Sequence, residues 1–107
     1  MNRHHSAGAP RAIGPYAQAV SADGWLYTSG QIGLDPATGQ LAEGFEAQAR
    51  QVLANLSAVL TSAGCTPADV VKATIYLADL ASFPAINELY GAFVGDHRPA
   101  RSTVQAA

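Results

Sequence analysis

The sequence predicts a single α+β domain in which two helices cover one face of a mixed sheet. Two observations support this class. The predicted elements follow the order strand, strand, helix, strand, helix, strand, and both helices carry an apolar face at helical spacing. The chain has 107 residues, nearly half of them apolar, which suits one domain with a core of its own.

The N-terminal half is predicted to open with a β-hairpin. Residues 16–21 and 25–32 are rich in strand-forming side chains, and Asp23-Gly24 between them is typical of a two-residue hairpin turn. The segment 35–39 contains Pro and Gly at turn positions, so we expect a loop there.

Two helices are predicted from apolar periodicity. The first spans about residues 45–63 and should end at Gly64. The segment 66–69 resembles a capped single turn with Pro at its first position. The second helix should be capped by Ser82, and its apolar face consists of Phe83, Ile86, Leu89, Tyr90 and Phe93.

Two further strands are predicted at residues 70–77 and 101–106. Both faces of the third strand carry apolar side chains, and the second strand shows the same feature. Because two helices can cover only one face of a sheet, we expect the other face to mediate self-association. The alternative is that loops and the N-terminal tail cover it.

Composition argues against several functional classes. The formal net charge is −2 and the basic residues are scattered, so no nucleic-acid partner is expected. Cys65 is the single cysteine, which excludes an internal disulfide and a cysteine-based metal site of standard spacing. Residues 1–12 have no apolar stretch typical of a signal peptide and are interpreted as a flexible tail. We therefore expect a cytoplasmic protein that does not span a membrane.

The residue most suggestive of a binding function is Arg101, because a permanent cation rarely begins an apolar strand. Its guanidinium matches a carboxylate in two-point geometry. On local reasoning alone, a structural salt bridge explains it as well, with the candidate partners Asp79, Glu88 and Asp96.

Two other segments suggest a site. Gly14-Pro15 should form a turn that orients the Tyr16 ring, although core packing of this ring is an alternative. Ser29-Gly30 places a glycine where a ligand or another backbone can approach closely. His97 and Cys65 are weaker candidates, interpreted as a surface residue and a small buried apolar residue respectively.

Seven ordered segments taken together resemble the reactive-intermediate deaminase family, also called the Rid or YjgF-like family. They cover nearly all of the chain from Ala9 onward: Ile13-Gly14-Pro15-Tyr16, Thr28-Ser29-Gly30-Gln31-Ile32, Asp35-Pro36-x-Thr38-Gly39, Gln51-Val52-Leu53-x-Asn55-Leu56, Val70-Val71-Lys72-x-Thr74, Asn87-x-x-Tyr90 and Arg98-Pro99-Ala100-Arg101-Ser102.

The resemblance implies a chorismate-mutase-like fold, a homotrimer with pockets between subunits, and hydrolysis of 2-imino acids such as 2-iminobutanoate to 2-keto acids and ammonia. It implies that Arg101 holds the substrate carboxylate and that Tyr16, Ser29, Gly30 and Asn87 line the pocket. It also implies that Thr103 contributes mainly through its backbone, where similar proteins often have Cys. No metal or cofactor is expected, since a protonated imine needs little beyond orientation and a placed water.

The resemblance further implies a final strand carrying a glutamate that positions or activates the attacking water. The 107 residues do not include this strand, so they belong either to a longer protein or to a shortened member of the family. Hydrolysis of 2-imino acids is the leading hypothesis, and two alternatives accompany it. One is a protein of the same fold that binds small carboxylates without turnover, and the other is a ribonuclease or translation inhibitor.

Overall fold

The computed structural model describes residues 1–106 and contains two compact units, Met1–Cys65 and a second that begins at Thr66. Each unit combines helical and strand segments, which confirms the predicted α+β class. The strands belong to two sheets, a three-stranded antiparallel sheet in the first unit and a parallel pair in the second. The assignment of the whole chain to one domain stays a prediction.

The antiparallel sheet has the order β1 (Asn2–His4), β2 (Ala19–Ala22) and β3 (Trp25–Thr28). The predicted hairpin is present, and Asp23 and Gly24 both have positive φ, at 53° and 82°. That conformation is the one a type I′ turn requires. Both strands are shorter than the sequence suggested, because residues 16–18 and 29–32 form no regular ladder.

The first strand lies inside the segment interpreted as a flexible tail. Residues Asn2–His4 pair antiparallel with β2, and the His4 ring nitrogen Nε2 is 2.9 Å from Ser21 Oγ. The buried amide of Gln18 holds the next residues, since it accepts from Ser6 N and donates to the carbonyls of Ser6 and Pro10. The ordered structure of this segment was not predicted from the sequence. Hydrogen bonds to groups distant in the chain fix it, and local propensity does not reveal them.

The long helix α1 (Phe45–Ser62) confirms the predicted span of 45–63. Gly64 follows it with φ of 76°, a conformation that glycine adopts without steric cost. The helix buries Val59 in a core with Ala9 and Ala19. The apolar periodicity of the segment predicts that this face of the helix is buried.

The segment between β3 and α1 is fixed to the helix by two contacts. Gly33 packs so closely on Gln48 that an added Cβ would lie 2.8 Å from the Gln48 Cα. The fully buried Asn55 donates hydrogen bonds to the carbonyls of Ile32 and Leu34, at 3.2 and 3.0 Å. The predicted loop at 35–39 is confirmed, with an isolated bridge between Leu34 and Leu41 enclosing it.

The second unit begins with a 3₁₀ turn at Pro67–Asp69, closed by a reciprocal capping box between Thr66 and Asp69. Strand β4 (Lys72–Leu77), a 3₁₀ turn at Leu80–Ser82, helix α2 (Phe83–Val94) and strand β5 (Ala100–Gln105) follow. Ser82 precedes α2 as predicted, although its side chain makes no capping hydrogen bond.

Strands β4 and β5 run parallel, with Ala73 opposite Arg101 and Ile75 opposite Thr103. These four residues are half-buried, whereas the alternate residues of both strands are exposed. On the exposed face, Tyr76 lies opposite Val104 with 71% of its surface accessible. This apolar patch agrees with the expectation of self-association, which itself stays a prediction. Within residues 1–106, the structure has no helix of the length and apolar character needed to cross a membrane.

Candidate functional site

Arg101 lies on the half-buried face of β5, at the second residue of the strand. Its side chain extends to helix α2, where Nη1 donates a 2.7 Å hydrogen bond to Oδ1 of Asn87. Two of the residues named from the sequence, Asn87 and Arg101, are therefore in direct contact. The strand supplies the cation and the helix supplies the acceptor that orients it.

Two aromatic rings of α2 flank the same guanidinium. The Cζ atom of Arg101 is 5.2 Å from the ring centroid of Phe83 and 5.4 Å from that of Tyr90. Both distances are within the range of cation–π attraction. Positions 83, 87 and 90 fall on one face of an α-helix, because residues three and four apart are neighbours on its surface. Helical geometry thus brings the two rings and the amide to one cation.

The salt bridge considered for Arg101 does not form. Across residues 1–106, the ion pair within 4.0 Å joins Arg50 to Glu46 on the exposed surface of α1. Asp79, one of the suggested partners, instead accepts a hydrogen bond from Ala81 N in the turn that precedes α2. The guanidinium of Arg101 therefore carries a positive charge that no described carboxylate neutralises.

An open cavity of about 490 Å³ adjoins this cluster. Its walls come from α2 and from the segment leading into β5, and they include Asn87, Tyr90, Gly91, Arg98, Pro99 and Arg101. A small carboxylate fits the charge of the cavity, since its lining contains two guanidinium groups and no acidic residue among the residues described. Arg98 is bonded to the Gly95 carbonyl at the rim, which leaves Arg101 as the inner cation.

The Tyr90 hydroxyl is buried without a hydrogen-bond partner in residues 1–106. Burial raises the pKa of Tyr90 above its usual value, and the nearby charge of Arg101 opposes this by lowering it. The phenol therefore stays neutral through the physiological range. It presents its ring face, rather than an anionic oxygen, to the guanidinium.

Thr103 follows Arg101 by two residues, so both side chains lie on the same face of β5. Its hydroxyl is also buried without a partner among the residues described. An unsatisfied buried hydroxyl is unfavourable. The position therefore offers a polar group beside Arg101, although its role in binding stays a prediction.

The other three predicted residues belong to the first unit. Tyr16 follows the Gly14-Pro15 bend and is 53% exposed, so the alternative of core packing is wrong for this ring. Ser29 Oγ donates to the Ala17 carbonyl at 2.6 Å, which uses its proton and leaves its oxygen able to accept. Gly30 is exposed, with nothing within 4 Å of the position of a Cβ.

The weaker candidates show structural contacts. The Nε2 atom of His97 is hydrogen-bonded to the Val70 carbonyl, so the ring anchors the segment before β5 rather than lying free on the surface. Cys65 is half-buried three residues after the end of α1, where its thiol donates to the Ala63 carbonyl. Over residues 1–106, no group of three His, Cys, Asp or Glu side chains is arranged to hold a metal ion.

Phe83 and Tyr90 were interpreted from the sequence as apolar residues of the helix face. Their spacing of −4 and +3 around Asn87 is the signal that could have assigned them to the site. A polar residue between two aromatics on one helical face is compatible with a cation binding there, but locating that cation requires the tertiary structure.

These features define an α+β protein with an unneutralised arginine at an open cavity. A model of the family described as Endoribonuclease L-PSP matches residues 6–107 of the chain. The chain belongs to this family, also known as the YjgF or Rid family.

Its relatives carry different names. The human protein named 2-iminobutanoate/2-iminopropanoate deaminase is 48% identical over 103 residues, which cover 95% of this chain and 75% of that protein. A RutC family protein of Synechocystis is 50% identical over 105 residues, covering 95% and 81%. Among solved structures, Escherichia coli TdcF with bound serine superposes with a TM-score of 0.94 at 39% identity, covering 100% of this chain and 87% of that one.

Proposed function

We propose that this protein hydrolyses small 2-imino acids, such as 2-iminobutanoate, to 2-keto acids and ammonia. The observation that supports the proposal most is Arg101, a cation held by Asn87 beside an open cavity with no carboxylate partner among the residues described. The name of the human relative agrees with this activity.

The reaction needs one water per imine. Water adds to the electrophilic carbon of the protonated imine, the carbon–nitrogen bond of the resulting carbinolamine breaks, and the nitrogen leaves as ammonia while the carbon becomes a ketone. Since the iminium carbon is already electron-poor, catalysis consists mainly of orienting the substrate and placing the water. A two-point contact between Arg101 and the substrate carboxylate would fix the adjacent imine carbon in one position.

We include Tyr16, Ser29, Gly30 and Thr103 with Asn87 and Arg101 in the proposed substrate site, in a cytoplasmic homotrimer with pockets between subunits. This assignment is supported by the family's resemblance and by chemistry. The Tyr16 ring is exposed, and the Ser29 oxygen retains its capacity to accept a hydrogen bond. The serine bound to TdcF is itself a small carboxylate.

The test is a coupled assay in which threonine dehydratase generates 2-iminobutanoate and the release of ammonia and 2-ketobutyrate is followed. We expect the wild type to accelerate the release of both products. Arg101→Ala should reduce that acceleration at least tenfold. Lys72→Ala, which removes an exposed cation of β4, is the matched control and should retain it. Saturable binding of 2-ketobutyrate without any acceleration would instead support a binding protein.

The description of the matching family model raises RNA cleavage as a second candidate. The net charge of −2 and the engagement of His97 with a backbone carbonyl do not favour it. Cleavage of RNA that survives repeated purification and disappears in a point variant of the cavity would establish it.

A further inference from the structure

We propose that Phe83 and Tyr90 are positioning residues that hold the Arg101 guanidinium between their rings and keep its charge available for a substrate carboxylate. The inference rests on the proposed function in one respect, that a carboxylate is the ligand of Arg101. It adds the means by which a half-buried cation is held without an acidic partner among residues 1–106.

The Arg101 guanidinium is half-buried and so loses part of its hydration. A guanidinium removed from water is unfavourable unless something replaces its hydration. A carboxylate would do this, but it would also occupy the donors that a substrate needs. The faces of Phe83 and Tyr90, at 5.2 and 5.4 Å, attract the cation through their quadrupoles and occupy none of its N–H groups.

The orientation of the Arg101 guanidinium depends on Asn87. Asn87 lies between the two aromatic positions on α2 and accepts from Nη1 of Arg101 at 2.7 Å. A guanidinium has about five N–H donors in a fixed planar fork, so one hydrogen bond to Asn87 leaves several free. The two rings lie on either side of position 87 along the helix, and the Asn87 amide fixes the direction of one N–H group.

Holding a cation differs from ordinary packing in what it requires of the two rings. If the rings only fill space, any apolar side chain of similar volume should serve. If they hold the cation electrostatically, binding of an anion to Arg101 should depend on the electron density of the ring face. Pentafluorophenylalanine keeps the ring but withdraws that density, so it distinguishes the two roles.

The experiment measures binding of 2-ketobutyrate to the full chain by titration calorimetry, with the melting temperature recorded for each variant. We expect Phe83→pentafluorophenylalanine to raise the dissociation constant about twofold to fivefold, in line with the strength of one such contact. Phe83→Leu and Tyr90→Leu, which remove the ring face, should each raise it as well, and Tyr90→Phe, which keeps the ring, should recover most of what Tyr90→Leu loses.

The control is Phe93→pentafluorophenylalanine, the same exchange on the same helix at a ring that does not lie over Arg101. It should bind 2-ketobutyrate as the wild type does. The inference is overturned if fluorination at position 83 leaves the dissociation constant unchanged, or if the wild type binds no 2-ketobutyrate. If binding responds as expected but no imine is hydrolysed, the proposed function fails and the aromatic contact stands.

Discussion

The amide oxygen of Asn87 accepts a 2.7 Å hydrogen bond from Arg101, which follows it by 14 residues and lies on a different element of the fold. This contact joins the middle of α2 to the start of β5. It also orients the guanidinium of Arg101. We therefore expect anion binding by Arg101 to be sensitive to small changes at position 87.

The near-isosteric exchange Asn87→Asp gives a sharp test of that sensitivity. The new carboxylate would pair with Arg101 and repel the carboxylate of a ligand, since like charges in close contact are costly. We expect the dissociation constant for 2-ketobutyrate to rise at least tenfold, with a melting temperature no lower than that of the wild type. Glu88→Gln, which changes charge at the exposed neighbouring residue, should bind normally. Equal weakening in both variants would contradict the role given to Asn87.

A second prediction concerns the buried amide of Asn55. Asn55→Leu removes the donors for the carbonyls of Ile32 and Leu34, and each buried acceptor without a partner is costly. We expect the free energy of unfolding to fall by about 2–4 kcal/mol, measured by urea denaturation. Gln51→Ala serves as the comparison, because it loses only a half-buried hydrogen bond to Asn55. It should lower the free energy of unfolding by about 1 kcal/mol.

A third prediction concerns two glycines with opposite environments. Gly33→Ala would force a methyl group against the Gln48 backbone and should destabilise by about 1–3 kcal/mol. Gly91→Ala places the same group in open space inside α2, where alanine favours the helix by about 0.5–1 kcal/mol. The melting temperature should therefore fall in Gly33→Ala and rise in Gly91→Ala. A shift in the same direction in both variants would refute the close packing described for Gly33.

The pH dependence of stability provides a fourth prediction. The pKa of Tyr90 is raised in the folded protein, mainly by burial, so the neutral phenol is favoured there. Its contribution to stability is full below the unfolded pKa of 10.0 and is lost as pH rises through the higher folded value. Urea denaturation from pH 9 to 11 should show this decline, and Tyr90→Phe should reduce it. Arg101→Met should raise the pKa of Tyr90 further, because the opposing charge is gone.

Features encoded in short stretches of sequence were predictable. The periodicity of α1, the positive φ at Asp23 and Gly24, and the capping box between Thr66 and Asp69 all follow from residues close together in the chain. Arg101 stood out for a similar reason, because a permanent charge at the start of an apolar strand is anomalous on local grounds.

Features that depend on distant partners were not predictable in the same way. The pairing of β1 with β2 depends on backbone groups more than ten residues away. The positions of Phe83 and Tyr90 around a cation depend on how α2 packs on β5. Residue type alone does not distinguish an aromatic ring that fills a core from one that faces a charge, so both were interpreted as core.

The attachment of the segment before α1 has a consequence for how the first unit opens. Gly33 is packed on Gln48, Asn55 bonds the carbonyls of Ile32 and Leu34, and Ala42 N donates to the Gly33 carbonyl at 2.8 Å. A loop fixed at several points cannot fluctuate away while the helix stays intact. The amide of Ala42, which donates to the Gly33 carbonyl, should therefore exchange with solvent deuterium mainly when this attachment opens together with α1.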